Sequence, residues 1–207
     1  WNPLGECAGL IKPNRCELPS VNAILTNKLS IQQCLVDGDS EWLAIQKMVT
    51  FISNAIHTYG PMALVGFNSA RFDFKFFEKT CLKYGINPSF YGKLSSVDVL
   101  QYTKYCAQQH LKAFPFEYHT IESGQKIPNF KLESLAKRFH CIDTPQTHDA
   151  KDDVLLTIDL VKALQRTFGL KLSEFQALQH SPRFQTGTIL TESTLLFDND
   201  TNTTVLN

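Results

Sequence analysis

The sequence is short of the features that announce a partner or a compartment by themselves. Lysine plus arginine numbers 20 and aspartate plus glutamate 20, so no net basic field draws the chain to a polyanion. That balance argues against a plain nucleic-acid-binding module. It leaves untouched an enzyme whose acidic site offsets basic residues elsewhere. The six cysteines, Cys7, Cys16, Cys34, Cys81, Cys106 and Cys141, include no C-x-x-C pair. A zinc framework or disulfide scaffold is a poor fit, and a reducing cytoplasm suits them. No apolar run approaches the ~20 residues of a membrane span, and no signal peptide pattern is present. There is no internal repeat and no low-complexity tract. The first residue is Trp1 rather than methionine, and a trimmed piece of a longer chain is the expectation.

What is there describes an ordinary globular domain. The 207 residues are 43% hydrophobic and 19% charged, enough to bury a substantial core. Residues 1–38 carry more punctuation than periodicity. Leu10-Ile11 and Ala23-Ile24-Leu25 suggest short strands, with turns at Pro13-Asn14, Pro19 and Asp37-Gly38. Ile45, Met48, Val49, Ile52 and Ile56 then predict a helix over Ser40–His57, capped by Asp39 or Ser40 and stopped by Gly60. The run Ala63–Phe67 suits a buried parallel strand. A helix over Asp73–Tyr84 ends at Gly85, and Val97–Leu100 reads as a strand entering a helix through Tyr105. Residues 107–128 are polar with scattered aromatics and read as a loop beside a site. Asn129 is the expected cap of a helix with face Leu132, Leu135, Ala136 and Phe139, and a short helix starts near Ser173. Strands alternating with helices predict an α/β domain with a mixed or parallel sheet. Residues 1–180 form one domain on this reading, and 181–207 a tail or the start of a further domain.

Two stretches do not fit a purely structural role. Thr147 to Gln165 predicts a helix with Ala150, Val154, Ile158, Val161 and Leu164 on one stripe. Asp153 falls on that stripe, where a carboxylate costs several kcal/mol unless paired, hydrogen-bonded or bound to metal. His148 stands at the helix start, five residues earlier. The bland alternative is a histidine near a helix end and an aspartate bonded to a neighbouring strand. The second stretch is the turn Asn68-Ser69-Ala70-Arg71-Phe72-Asp73, after a predicted strand, where α/β sheets gather their ligands. Asp73 alone would be a helix-start carboxylate and Asn68 a turn residue. Taken together, Asp73, Asp153 and His148 have the composition of a phosphodiester-cleaving site: hard oxygens for Mg²⁺ or Mn²⁺ and a base to activate water.

The turn N-S-A-R-F-D, the helix N-F-K-L-E-S-L-A-K-R-F and the segment H-D-A-K-D-D-V occur in an order and spacing that resemble the DEDDh 3′–5′ exonucleases, most closely their bacterial exodeoxyribonuclease I branch. The resemblance covers about Leu10 to Gly169. It implies an RNase H-like exonuclease fold, a mixed sheet flanked by helices, and four carboxylates holding two Mg²⁺ or Mn²⁺ ions. By the same resemblance Asp73 and Asp153 are metal ligands and His148 deprotonates the attacking water. Asn68, Arg71 and Phe72 shape the site and touch the 3′ nucleotide, and Asp98 is a supporting acid behind it. The implied partner is the 3′ end of single-stranded DNA, or another nucleic acid, without a membrane; protein partners are not implied. The implied products are nucleoside 5′-monophosphates. Phe114 or Phe116 would stack bases, with a place in the core as the alternative.

The departure from the family is its first motif, an Asp-x-Glu on the opening central strand. The one D-x-E here is Asp39-Ser40-Glu41, which follows a turn and opens a helix, so capping explains it better. The expectation is that the opening strands belong upstream of Trp1. A rival reading keeps the fold and loses the chemistry, leaving a catalytically inactive nucleic-acid-binding or scaffolding module.

Overall fold

The computed structural model describes residues 3–13, 20–21, 24–25, 29–142, 150–179, 196–197 and 204–205. It resolves into two compact units, one of Trp1–Leu64 with Arg71–Ser96 and one of Val65–Ala70 with Val97–Asn207.

The first unit is built on helices that start and stop where local chemistry tells them to. A helix α1, Ile31–Asp37, opens with Ser30 Oγ accepting from the Gln33 N–H. It ends at Gly38, whose N–H donates to the Cys34 carbonyl. A Cβ on Gly38 would sit 2.3 Å from that oxygen and 2.9 Å from the Lys12 nitrogen, so only glycine lets the chain pass. Just beyond, Ile11 and Asp39 form a parallel bridge. Helix α2, Glu41–Tyr59, has Ser40 as its cap, with Oγ accepting from Leu43 N–H at 3.2 Å, and stops at Gly60 with φ 84°. Its Ile45, Ile52 and Ile56 pack with Phe77, Cys81 and Leu94 as the core of this unit. Burying each such side chain contributes about 1.5–3 kcal/mol.

Strand β1, Met62–Gly66, is followed by helix α3, Asp73–Lys83, and strand β2, Leu94–Asp98. β1 and β2 pair in a two-stranded sheet. Val65 is 45% exposed, so the apolar run is only partly covered; among the described residues this sheet has two strands and β1 one neighbour.

In the second unit, β2 runs straight into helix α4, Val99–Gln109. Next comes an antiparallel hairpin, β3 (Tyr118–Thr120) with β4 (Lys126–Pro128), in register Tyr118↔Pro128. Helices α5 (Leu132–Arg138), α6 (Ala150–Phe168) and α7 (Leu172–Gln179) complete it, and α6 packs on both α4 and α5. Tyr102, Leu135, Leu160, Leu164 and Phe175 are the fully buried centre. Tyr102 O–H donates to the Leu170 carbonyl at 2.6 Å, tying α4 to the turn after α6. Two further short strands, β5 (Leu196–Phe197) and β6 (Thr204–Val205), pair antiparallel.

Four local expectations are corrected. The Ala23–Leu25 strand is helical at Ile24-Leu25, where the Ile24 N–H bonds back to the Ser20 carbonyl. α1 was missed, because its Leu35 and Val36 are exposed and give no stripe. The 107–128 loop contains the end of α4 and the β3–β4 hairpin, turned at Gly124 with φ 82°. The cap of α5 is Lys131 rather than Asn129, whose Oδ1 accepts instead from the Lys131 N–H, two residues too early to cap the helix.

Candidate active site

The turn after β1 is held by a single carboxylate. Asp98 closes β2, is 5% exposed, and accepts from three backbone N–H groups. Its Oδ1 takes the Asn68 N–H at 2.8 Å and the Leu100 N–H at 2.9 Å, and its Oδ2 the Ala70 N–H at 3.1 Å. One side chain thereby caps α4 and fastens the β1–α3 turn, using up donors that would otherwise be stranded. Asn68 adopts φ 54° there, a left-handed conformation that asparagine tolerates better than most residues. Between the two fastened residues Ser69 is buried, and its Oγ has no hydrogen-bond partner among the described residues. Nothing in the sequence singled out Ser69, because a serine in a turn reads as an ordinary turn residue.

The other residues of the turn belong to the first unit. Phe72 stands at the N-cap position of α3 without a side-chain cap bond, and Asp73 is the first helical residue. Arg71, Phe72 and Asp73 are all exposed to solvent. A carboxylate in the first turn of a helix is favoured by the free N–H groups and the helix dipole.

In the second unit Asp153 lies in the first turn of α6 and is half-buried. It sits on the covered face of that helix, one turn before Leu156 and Thr157 and in line with Leu160 and Leu164, all buried. Two members of the expected stripe, Ala150 and Val154, are exposed, Val154 at 59%. The covered face is centred on Asp153 itself rather than beside it. Thr157, one turn on, donates its hydroxyl to the Asp153 carbonyl at 2.7 Å. His148 lies outside the described residues.

The D-x-E of the chain is engaged in structure. Asp39 pairs with Lys47 at 2.5 Å, and its backbone bridges to Ile11. Glu41, in the first turn of α2, pairs with Lys83 and accepts from the Tyr84 hydroxyl. The Lys83 hydrogen bond, with Tyr84 behind it, holds the Glu41 carboxyl below its ordinary range. Capping and ion pairing account for this motif. Phe114 is also structural: it is buried and packs on Phe116, Phe130, Phe139 and Phe168. A ring enclosed by four others has no face for a base.

Asp73 and Asp153 are hard oxygen donors, the kind Mg²⁺ and Mn²⁺ select, so the residues fit such an ion in kind. Among the described residues no group of three histidine, cysteine, aspartate or glutamate side chains could hold a metal. No helix among them is long and apolar enough to cross a membrane.

Neither a family model nor a curated protein matches the sequence. Solved structures do. E. coli exonuclease I in complex with a dA16 oligonucleotide matches with TM-score 0.69 and 21% identity over 94% of this chain. The dT13 complex of the same enzyme matches with TM-score 0.66 and 22% identity over 87%. A zinc-ion-bound form of its single-stranded DNA complex matches with TM-score 0.62 and 23% identity over 81%. This chain spans 40% of the first of those chains, 37% of the second and 33% of the third. At such identities the likeness is one of architecture, and the chain has the RNase H-like α/β fold of the exonuclease I structures.

Proposed function

We propose that this chain is the nuclease part of a 3′–5′ exonuclease that hydrolyses single-stranded DNA from its 3′ end and releases nucleoside 5′-monophosphates. The observation that carries the reading is Asp153, a half-buried carboxylate at the centre of the covered face of α6. A carboxylate so placed offers the hard oxygen that Mg²⁺ and Mn²⁺ select. Asp73, in the first turn of α3, is the second acid, and the fold likeness to DNA-bound exonuclease I supports the substrate class.

In this reading Asp73 and Asp153 hold divalent ions, Mg²⁺ or Mn²⁺, two in the complete site. Such ions supply a lowered pKa for bound water and positive charge at the leaving oxygen. His148 takes the water proton on an imidazole nitrogen, a task suited to a group that titrates near neutrality. Asn68, Arg71 and Phe72 bind and orient the 3′ nucleotide, Arg71 through phosphate and Phe72 through a base face. Asp98 keeps the turn that carries Asn68 in one conformation. Residues 1–180 make up the nuclease domain and 181–207 a tail or the start of another. Free thiols at the five described cysteines support a cytoplasmic location.

A second reading is favoured by one observation: Asp39 and Glu41 are engaged in pairing, so the chain offers two of the four acids the two-metal site takes. On that reading the domain binds nucleic acid without cutting it. One experiment separates them. The protein in its full coding frame is given single strands labelled at the 3′ or the 5′ end, with Mg²⁺. Immediate release of the 3′ label as a mononucleotide, with the 5′ label shortening stepwise, is expected. Binding with no release from either end would establish the second reading.

A further inference from the structure

The outward face of α3 is unusual for a surface helix. Its covered side carries Phe77, Thr80 and Cys81, yet two large rings stand on the open side: Phe72 is 71% exposed and Phe76 60%. They are four residues apart and so lie one above the other. Lys79 continues that stripe at the next turn, and Lys75 lies beside it, both exposed. Among the described residues neither lysine forms an ion pair, whereas Lys83 at the far end is engaged by Glu41. Two lysines at i and i+4 repel mildly, and two exposed phenylalanines gain nothing from water. A helix selected for stability alone would have neither.

We propose that this ridge binds single-stranded nucleic acid next to Asp73, with Phe76 stacking one base and Lys75 and Lys79 holding the adjoining phosphates. The proposal rests on the nuclease reading and extends it, since it assigns a strand-binding track beyond the residues that meet the 3′ nucleotide. Charge and chemistry select the occupant. Every base has a π-face, so a pair of rings accepts any sequence, and a basic row follows a phosphate backbone. Four residues of helix separate the rings by about 6 Å along the axis. That exceeds the ~3.4 Å per nucleotide of a stacked strand, so the two rings suit bases splayed apart, as only a single strand allows. An overall charge of zero means that such a local row, not a global field, must supply the attraction.

The test is equilibrium binding of a fluorescent oligo-dT to the protein in its full coding frame, with EDTA present so that no cleavage occurs. Phe76→Ala is expected to weaken binding about 5- to 150-fold, the range for loss of one stacked base. Phe76→Trp is expected to retain it, since the stacking face survives. Lys75→Ala and Lys79→Ala should each reduce the slope of log K against log salt by about 0.7. The substituted side chains are exposed, and circular dichroism melting checks that each variant is folded. Wild-type affinity in folded Phe76→Ala would overturn the ridge alone and leave the nuclease reading standing. A wild-type chain that binds no oligo-dT would overturn both. A change of oligomeric state in Phe76→Ala, with DNA affinity intact, would show a protein interface and likewise overturn the proposal.

Discussion

Replacing Asp98 by alanine is the substitution whose consequence can be worked most closely. Three backbone N–H groups lose their acceptor at once: Asn68, Ala70 and Leu100. The Leu100 bond is the cap of α4, and losing a cap costs about 1–2 kcal/mol. The bonds to Asn68 and Ala70 are part-buried, so water replaces them incompletely, at about 1 kcal/mol each against the larger figure for a sealed donor. The total is about 3–4 kcal/mol. For a chain of this size each kcal/mol moves Tm by roughly 2–4 °C, so a fall of about 6–16 °C is expected. Asp98→Asn keeps the shape and one acceptor oxygen but turns an amide N–H₂ toward a donor, and should fall between. Thermal melting followed by circular dichroism measures the drop. Amide exchange locates it, with protection lost at Asn68 and Ala70 first. A fall under about 2 °C, or unchanged exchange at those two amides, would refute the clamp.

Other outcomes follow from the same geometry. Gly38→Ala places a Cβ 2.3 Å from the Cys34 carbonyl, so the α1–α2 junction must shift, and urea unfolding should show a loss of about 1–3 kcal/mol. Burial raises the Cys106 thiol to about 11 and raises Cys81 as well. Iodoacetamide at about pH 8 should therefore label exposed Cys7 and spare both, as read by mass spectrometry. The raised pKa also means that the stability Cys106 contributes is intact below its unfolded value and fades as pH climbs toward about 11. Glu41 runs the other way, its pKa held down by Lys83. Glu41→Gln should lower Tm slightly at neutral pH, and the difference should vanish in acid below the folded pKa, where both side chains are neutral. In the full coding frame, His148→Ala should cut turnover by about 10²–10⁴-fold while leaving metal affinity nearly intact; unchanged single-turnover release would remove it from the mechanism.

How much of this was legible in the sequence depended on whether the deciding interaction was local. α2 was readable because Ser40, the isoleucine spacing and Gly60 all lie within its own 21 residues or so. Asp153 was readable as a carboxylate on an apolar stripe, although that stripe lies about a quarter of a turn from the covered face. Val154 is the member that departs most from it: apolar, yet exposed. The β3–β4 hairpin left little trace because Tyr118, His119 and Thr120 are all exposed, so no alternation of polar and apolar residues marks it. The resemblance named Asp98 as a supporting acid, but the partners of its clamp were out of reach. It spans 28 to 30 residues of sequence, and nothing local says that an aspartate ending one strand holds the turn after another. Phe114 shows the converse, since an aromatic in a polar stretch looks available until four other rings are found around it.

The central claim is that Asp73 and Asp153 together hold the divalent ions of a 3′-end hydrolase. It is tested most directly by Mn²⁺ titration, read by electron paramagnetic resonance, on the protein in its full coding frame and on Asp73→Asn and Asp153→Asn, with mononucleotide release measured on the same samples. The account predicts that each substitution weakens Mn²⁺ binding and abolishes release of the 3′ nucleotide. Wild-type Mn²⁺ binding and undiminished release in either variant would contradict it.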